Sequence, residues 1–231
     1  MKSIFITVFY NTSDAEQKRI KKQVSDVGIE GFNSVDHSAS KKGYAEGINT
    51  LLKKHLEEYD IFFIANPDID VSSLEKKTYL DAAKMLDIWG YTMKQESDVY
   101  YGGEIDPMRM SGGLITQKPK ERFPRVDFVS GSLMAVKKKV IEKVGYLDES
   151  YGMYYEDVEY CYRAAKAGFV VGIDAENLYT HFEESKVNLL KEKFLAKNRM
   201  KFLWENGDLK QKVYEVIRLP KTVLEEKGNL L

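Results

Sequence analysis

The sequence predicts an α/β fold, with a mostly parallel sheet flanked by helices. Apolar, β-branched segments of strand length alternate with segments of helical periodicity over the first two-thirds of the chain. The segment Ile61–Ala65 is wholly apolar, as a central parallel strand buried on both faces requires. Strand–helix alternation of this kind is typical of βαβ units with helices on both faces of the sheet.

Local signals define the elements of the first half. Ile20, Val24 and Val27 form one apolar helical stripe, and Ser72 and Glu75 have the spacing of a capping box. The predicted elements, in chain order, are a strand at 4–10, a helix ending at Gly28, a strand at 31–36, a helix at 43–59, a strand at 61–65 and a helix running to about Trp89.

The remainder is less regular. The predicted elements are a strand at 99–103, a loop or short hairpin at 104–126, a strand at 128–136, helices at 137–144 and 156–167, a strand at 169–173, and helices from 187 broken at Asn206-Gly207 and at Pro220. Because loops of such length commonly carry function, segment 104–126 is a candidate lid or acceptor clamp. We expect one α/β domain over 1–186 and a helical appendage over 187–231 that packs on it.

Composition excludes several classes of protein. The chain has 231 residues, 43% apolar and 31% charged, as in a folded globular protein. Its 35 basic and 36 acidic residues give a net charge of -1, which provides no bulk attraction for nucleic acid. The single cysteine, Cys161, suits a reducing compartment, and no apolar stretch approaches the roughly 18 residues of a membrane span. The start MKSIFITVFYN is typical of a first strand and not of a signal peptide, so we expect a cytoplasmic protein.

Polar residues follow the predicted parallel strands, where ligands of open α/β sheets bind. These residues are Tyr10-Asn11, Asp36-His37-Ser38 and Asn66-Pro67-Asp68-Ile69-Asp70. An aromatic ring can stack on a base, an acid can accept from a base or a ribose, and clustered oxygens suit a hard cation. The same residues also favour ordinary strand ends and turns. No glycine-rich dinucleotide or P-loop motif is present.

A second group of acids begins the helix predicted at 156–167. Glu156 and Asp157 either complement the helix dipole or include a general base. Neighbours on a helix point about 100° apart, so only one of the two can face a given substrate atom. The lone His181 becomes a metal or phosphate ligand only if the fold brings it near Asp68.

An ordered set of motifs carries a family resemblance. The motifs are YN after the first strand, D-H-S after the second, G-Y-A-E-G-I-N before the next helix, N-P-D after the third, then VSGSLM at 129–134, VGYLDE at 144–149, YEDVE at 155–159, Arg163, Gly168, His181 and Lys197-Asn198-Arg199. Over about residues 1–205 the chain resembles the inverting family-two glycosyltransferases with a GT-A fold. The N-P-D form and the short C-terminus are most similar to bacterial rhamnosyltransferase-type members.

The resemblance implies roles for individual residues. Tyr10 stacks on the nucleotide base, Asp36 binds the base, and Asn49 lies near the donor. Asn66-Pro67-Asp68 stands in for the D-x-D motif, with Asp68 the stronger and Asn66 the weaker ligand of Mg²⁺ or Mn²⁺. His181 completes the metal or diphosphate shell. Asp157 is the catalytic base, with Glu156 as the alternative.

The resemblance therefore implies an inverting, metal-dependent transfer of rhamnose or another hexose. The donor is a nucleoside-diphosphate sugar, and the acceptor is a hydroxyl of a glycan or a lipid-linked glycan. Two alternatives are a catalytically weak nucleotide-sugar-binding subunit and a nucleotidyltransferase, and the second lacks the glycine-rich basic loop it needs after the first strand. The basic and apolar C-terminal helices either pack on the sheet or touch the inner face of a membrane.

Overall fold

A computed structural model describes residues 1–40, 42–182 and 189–228, with side chains through residue 221. The strands are β1 Ser3–Phe9, β2 Gly31–Asp36, β3 Ile61–Ala65, β4 Ile69–Asp70, β5 Ile88–Gln95, β6 Asp98–Tyr100, β7 Gly103–Ile105, β8 Gly112–Leu114, β9 Leu133–Lys137 and β10 Val171–His181. The helices are α1 Asp14–Val27, α2 Tyr44–His55, α3 Lys76–Met85, α4 Lys138–Val144, α5 Glu156–Lys166, α6 Leu189–Asn206 and α7 Leu209–Gly228, with a 3₁₀ turn at Glu149–Tyr151.

The main sheet has the order β2-β1-β3-β9-β5-β10-β4, and β6 pairs with β5. Strands β1, β2 and β3 are parallel to one another, and β10 is parallel to β5. Strand β9 runs antiparallel between β3 and β5. A separate hairpin is formed by β7 and β8. The predicted α/β class with a mostly parallel sheet and a small antiparallel part is confirmed.

The sheet separates two apolar layers, and β1 shows why. Ile4, Ile6 and Val8 face the layer under α2, α4, α5 and α6, whereas Phe5 and Phe9 face the layer under α1 and α3. Alternate residues of a strand point to opposite faces, so a wholly apolar strand serves both layers. Burying each large apolar side chain contributes about 1.5–3 kcal/mol.

Helix α1 has the predicted apolar stripe and the predicted end. Ser13 and Glu16 form a reciprocal capping box at its start. Gly28 ends it with φ of 84°, a left-handed conformation that glycine adopts at little cost. Ile20 and Val24 are fully buried under the sheet, which fixes the end of β1 relative to the helix.

The predicted capping box at Ser72 and Glu75 is wrong. The Ser72 hydroxyl donates to the Asp70 carboxylate at 2.6 Å, so it closes a turn and α3 begins only at Lys76. The predicted extension of this helix to Trp89 is also wrong. Ile88 and Trp89 are fully buried and pair with β9, because long-range sheet pairing outweighs local helical periodicity.

In the middle and the C-terminal half, the predicted elements differ from the observed ones more in their bounds than in their type. Segment 104–126 contains most of the short hairpin, the strand predicted at 128–136 begins only at Leu133, and β10 continues past a bulge after Asp174 to His181. The predicted break at Asn206-Gly207 is confirmed. The predicted break at Pro220 is wrong, because α7 continues through it.

The C-terminal helices are tied to the α/β core. Phe202 and Leu203 of α6 are fully buried in the layer that contains α5. Arg199 donates to Glu215 of α7 at 2.8 Å in a buried ion pair. The predicted boundary between 186 and 187 lies outside the described residues. In the part of the chain that the structure describes, no helix is long and apolar enough to cross a membrane.

Candidate active site

A cavity of about 460 Å³ opens at the carboxyl edge of the sheet. Asn66 and Asp68 reach it from the end of β3, and His181 from the end of β10. Glu156 and Asp157 reach it from the first turn of α5. The fold thus gathers side chains from three separate segments around one space.

The short strand β4 brings His181 to Asp68. Its Ile69 pairs with His181 in an antiparallel ladder, and the Phe182 amide donates to the Asp68 carbonyl at 2.9 Å. His181 Nε2 therefore lies 3.6 Å from Asp68 Oδ1. From α1, Arg19 donates to the Pro67 carbonyl at 3.1 Å and to the Ile69 carbonyl at 2.6 Å, which fixes the loop from the other side.

The Asp68 carboxylate is held in its charged form. Burial raises its pKa, but the nearby His181 imidazole and the charge of Arg19 outweigh burial, so the pKa is lowered overall. His181 is 5% exposed, and among the described residues neither of its ring nitrogens has a hydrogen-bond partner. Buried polar atoms normally have partners, so these nitrogens are suited to bind a ligand in the cavity.

This wall of the cavity fits a hard divalent cation. Carboxylate, imidazole and amide oxygen are all suitable donors, and Asp68, His181 and Asn66 supply them. Among residues 1–40, 42–182 and 189–228, no three His, Cys, Asp or Glu side chains gather into a complete metal site. A cation held by these side chains would take its remaining oxygen ligands from water or from a bound phosphate.

The acids Glu156 and Asp157 follow a strained turn before α5. Tyr154 and Tyr155 have φ of 67° and 73°, which costs free energy for residues with a side chain. The Asn198 amide nitrogen of α6 lies 2.8–2.9 Å from the carbonyl oxygens of Tyr151, Met153 and Tyr154. One buried side chain therefore holds the turn that aims the two acids into the cavity.

The two acids have different surroundings. Asp157 Oδ2 accepts from the Gly131 amide and Oδ1 from the Val158 amide, both at 2.8 Å. Glu156 is 7% exposed, and its Oε2 has no hydrogen-bond partner within residues 1–40, 42–182 and 189–221. Burial and then the charge of Asp157 raise the pKa of Glu156 to about 8. Burial also raises the pKa of Asp157, and its backbone donors oppose that rise.

Sequence reasoning assigned no role to Tyr44 or to the turn Ser130–Gly131–Ser132. Tyr44 begins α2, lines the cavity and donates its hydroxyl to the Gly131 carbonyl at 3.2 Å. The Ser132 carbonyl accepts from the Asn66 amide at 3.1 Å. The available signal was the position of both segments within the motifs that carry the resemblance.

Comparison with solved structures identifies the architecture. A mannosyltransferase from Pyrobaculum calidifontis, in complex with GDP-Man and Mn²⁺, matches with a TM-score of 0.61 and 11% identity, over 99% of this chain and 74% of that one. GalNAc-T7 with UDP, GalNAc and Mn²⁺ matches with a TM-score of 0.57 and 11% identity, over 80% of this chain and 44% of that one. The chain has the GT-A glycosyltransferase fold.

Sequence comparison also finds similarity to a glycosyltransferase. The chain is 28% identical over 180 residues to the low-salt glycan biosynthesis hexosyltransferase Agl10 of Haloferax volcanii. The match covers 70% of this chain and 59% of that relative, so the chain spans less than two-thirds of its length. S. aureus TarS matches in structure with a TM-score of 0.56 and 13% identity, over 92% of this chain and 41% of that one. No protein-family model matches the chain.

Three of the residues predicted to bind the donor do not line the cavity: Tyr10, Asp36 and Asn49. Tyr10 is 64% exposed at the end of β1, and Asp36 ends the neighbouring strand β2, where its carboxylate accepts from the Ser38 amide at 2.8 Å. The Asn11 amide donates to the Ser38 hydroxyl at 2.8 Å, so the two strand ends are linked. Tyr10 and Asp36 therefore share an exposed rim beside the cavity.

The donor contact predicted for Asn49 stays a prediction, and the structure shows how this side chain is held. Asn49 is buried in α2 and does not line the cavity. Its amide nitrogen donates to the Leu147 carbonyl at 2.9 Å and to Glu149 Oε1 at 2.8 Å, and its oxygen accepts from the Leu147 amide at 3.0 Å. Both ends of the amide are engaged within the protein, so Asn49 joins α2 to the loop before the 3₁₀ turn.

Proposed function

We propose that the chain is an inverting glycosyltransferase that moves a hexose, with rhamnose included, from a nucleoside-diphosphate sugar to an acceptor hydroxyl. One observation carries the proposal: the Asp68–His181 pair and the Glu156–Asp157 pair line the same cavity. A cation-binding wall and a proton-accepting wall are the two parts that such a displacement needs. The relationship to a hexosyltransferase supports the sugar class.

The donor nucleotide binds at the rim formed by the ends of β1 and β2. Tyr10 presents an exposed ring on which a base can stack, and Asp36 presents a carboxylate next to it. The diphosphate then extends toward Asn66, Asp68 and His181. Mg²⁺ or Mn²⁺ held there supplies positive charge that stabilises the leaving diphosphate. Structures of this fold with UDP or GDP-Man and Mn²⁺ support that arrangement.

Asp157 accepts the proton of the attacking hydroxyl. The acceptor oxygen forms a bond to the anomeric carbon, the bond from that carbon to the phosphate oxygen breaks, and the diphosphate leaves with the electron pair. Attack from the face opposite the leaving group inverts the configuration in one displacement. The amides of Gly131 and Val158 stabilise the charged form of Asp157, whereas Glu156 has no such donor on its Oε2.

The acceptor enters past the β7–β8 hairpin. Apolar and aromatic side chains line this part of the cavity: Met93, Leu114, Met153, Tyr154 and Leu195. Such a surface suits the faces of a sugar ring in a glycan or in a lipid-linked glycan. Gly112 of the hairpin donates its amide to the Tyr155 hydroxyl at 3.1 Å, which ties the hairpin to the acidic turn.

Contact with the inner face of a membrane stays a prediction. Helix α7 exposes Leu209, Val213, Val216 and Ile217, whereas α6 buries Phe202 and Leu203 in the core and exposes Leu189, Leu190 and Trp204. Sedimentation with anionic vesicles at low salt tests it, and failure to bind removes the membrane contact without affecting the proposed transfer.

The proposed function is tested with UDP-, GDP- and dTDP-sugars in the presence of Mn²⁺. We expect one donor class to raise the melting temperature, because a ligand of the native state stabilises it by mass action. The same donor should be hydrolysed or transferred, with loss of turnover in EDTA and inversion seen by NMR of the released sugar. Retention of configuration contradicts the mechanism. Donor binding without turnover favours the alternative, a nucleotide-sugar-binding subunit.

A further inference from the structure

We infer that Tyr44 is a positioning residue that holds the carboxylate of Asp157 in place through Gly131. The inference rests on the proposed function, because Asp157 is the proposed base. Tyr44 itself is separated from Asp157 in the chain and lies on α2. Its hydroxyl donates to the Gly131 carbonyl at 3.2 Å, and the Gly131 amide donates to Asp157 Oδ2 at 2.8 Å.

The direction of the Gly131 amide depends on the contacts that hold this residue in place. A glycine backbone is free to rotate about both of its dihedral angles, so its amide keeps its direction only if neighbours hold it. Within the same turn, Ser130 and Ser132 join their hydroxyls at 2.9 Å, and Ser132 lies 2.6 Å from the Tyr179 hydroxyl. Those contacts hold the serines on either side of Gly131, whereas Tyr44 holds the Gly131 carbonyl itself.

Tertiary packing places the Tyr44 hydroxyl among the acids of the site. A Cβ on Gly43, just before α2, would lie 3.2 Å from the Gly152 carbonyl, so the start of the helix abuts the turn that leads to α5. Burial raises the pKa of Tyr44 well above its usual range, and the charges of Glu156, Asp157 and Asp68 add to that effect. The tyrosine is therefore a neutral donor at the pH of the reaction.

The direction of the pH effect follows from the hydrogen bond of Asp157. The Gly131 amide lowers the pKa of Asp157, so a looser amide lets that pKa rise. Glu156 on the same helix is the neighbour that changes charge near neutrality. The other titratable groups that interact with the charge of Asp157 have raised pKa values and stay neutral; they are Tyr44, Tyr155, Tyr179 and Cys161.

The test is Tyr44→Phe in the full chain, which removes only the hydroxyl. We expect the acid limb of kcat/KM for donor turnover to move to higher pH and kcat at pH 7 to fall about 10-fold. Binding of UDP, GDP and dTDP with Mn²⁺ should change less than about twofold, because Tyr44 acts on the base. A role in folding alone would lower the melting temperature and leave the pH profile in place.

Tyr79→Phe is the matched control. Its hydroxyl also donates to a glycine carbonyl, that of Gly28 at 3.1 Å, but Tyr79 lies in the opposite apolar layer and outside the cavity. It should leave the pH profile unchanged. An equal shift in Tyr79→Phe, or no shift in Tyr44→Phe, overturns the inference. Should Tyr44→Phe fail to fold, Tyr44→Leu serves with the same expected results.

A second readout separates this inference from the proposed function. Carbon-13 NMR of labelled aspartate carboxyls gives the pKa of Asp157 directly, with the resonance assigned by its loss in Asp157→Asn. The pKa should be higher in Tyr44→Phe than in the unsubstituted chain. If the chain turns over no nucleotide sugar, the proposed function fails, and this titration still tests the link. Equal pKa values in the two proteins reject the role of Tyr44.

Discussion

His181 Nε2 lies 3.6 Å from Asp68 Oδ1, although the two residues belong to distant parts of the chain. The short strand β4 is the cause, because it pairs Ile69 with His181 and so places the carboxylate beside the imidazole. Both ring nitrogens are buried and have no hydrogen-bond partner in the part of the chain that the structure describes. The pair is thus available to a ligand that brings positive charge and phosphate into the cavity.

Replacing Asp68 by alanine tests this wall of the cavity. Asp68→Ala removes the charged oxygen donor, so we expect UDP or GDP affinity in Mn²⁺ to fall at least about 10-fold, with no change in EDTA. Calorimetry measures both. Asp70→Ala is the control, since Asp70 accepts from Ser72 and Gln23 and does not line the cavity. Unchanged affinity in Asp68→Ala rejects the metal role.

The assignment of the base is tested by exchanging each acid for its amide. Asp157→Asn should lower donor turnover about 10²–10⁴-fold and keep donor binding, as loss of a general base does. Glu156→Gln should retain turnover within about 10-fold, because glutamine resembles the protonated form of a group whose pKa is raised to about 8. The opposite pattern reassigns the base to Glu156.

Glu156 also makes the stability depend on pH. Its pKa is raised from 4.5 to about 8, so the folded state binds more protons than the unfolded state between these values. Stability then falls as pH rises from about 4.5 to about 8. We expect Glu156→Gln to raise the free energy of unfolding at pH 8 by on the order of a few kcal/mol.

Urea denaturation across the pH range measures this effect. The two proteins should have similar stability near pH 4.5, where the unfolded glutamate is also becoming protonated, and should diverge toward pH 8. A constant difference at all pH values contradicts the raised pKa, since it would mean that Glu156 titrates alike in the folded and unfolded chains.

The ion pair between α6 and α7 predicts a large and local stability effect. Arg199 and Glu215 are almost completely buried and lie 2.8 Å apart, and Arg109 of the hairpin segment approaches Glu215 at 4.0 Å. Glu215→Ala leaves buried positive charge without this carboxylate, which costs about 3–5 kcal/mol. Asp26→Ala at the exposed Lys22–Asp26 pair is the control and should cost less than about 1 kcal/mol.

The first three strands and the end of α1 could be predicted because their signals are local. The apolar run Ile61–Ala65 forms the buried strand β3, and the apolar stripe predicted on α1 is buried as well. Strand β5 was missed, since Ile88 and Trp89 continue a helical pattern until β9 pairs with them. The predicted helix break at Pro220 was wrong because α7 continues through this residue.

The candidate site was predictable in its members and not in its geometry. Asp68, His181, Glu156 and Asp157 stand out by residue type and by motif, and the cavity brings them together. Asn49 also stands out by residue type and motif, yet both ends of its amide form hydrogen bonds with the Leu147 backbone in the protein interior. Whether a polar side chain faces a cavity or the core depends on which distant segments pack on it.

Short-range periodicity and turn chemistry encode the alternation of strands and helices and the polar residues that follow the strands, so these features can be read from the chain alone. Long-range packing sets the rest: β4 carries Asp68 to His181, Gly131 and Tyr44 lie near Asp157, and the buried Glu156 Oε2 has no hydrogen-bond partner among the described residues. Burial and electrostatics depend on every group within a few ångströms, and those groups come from segments far apart in the chain.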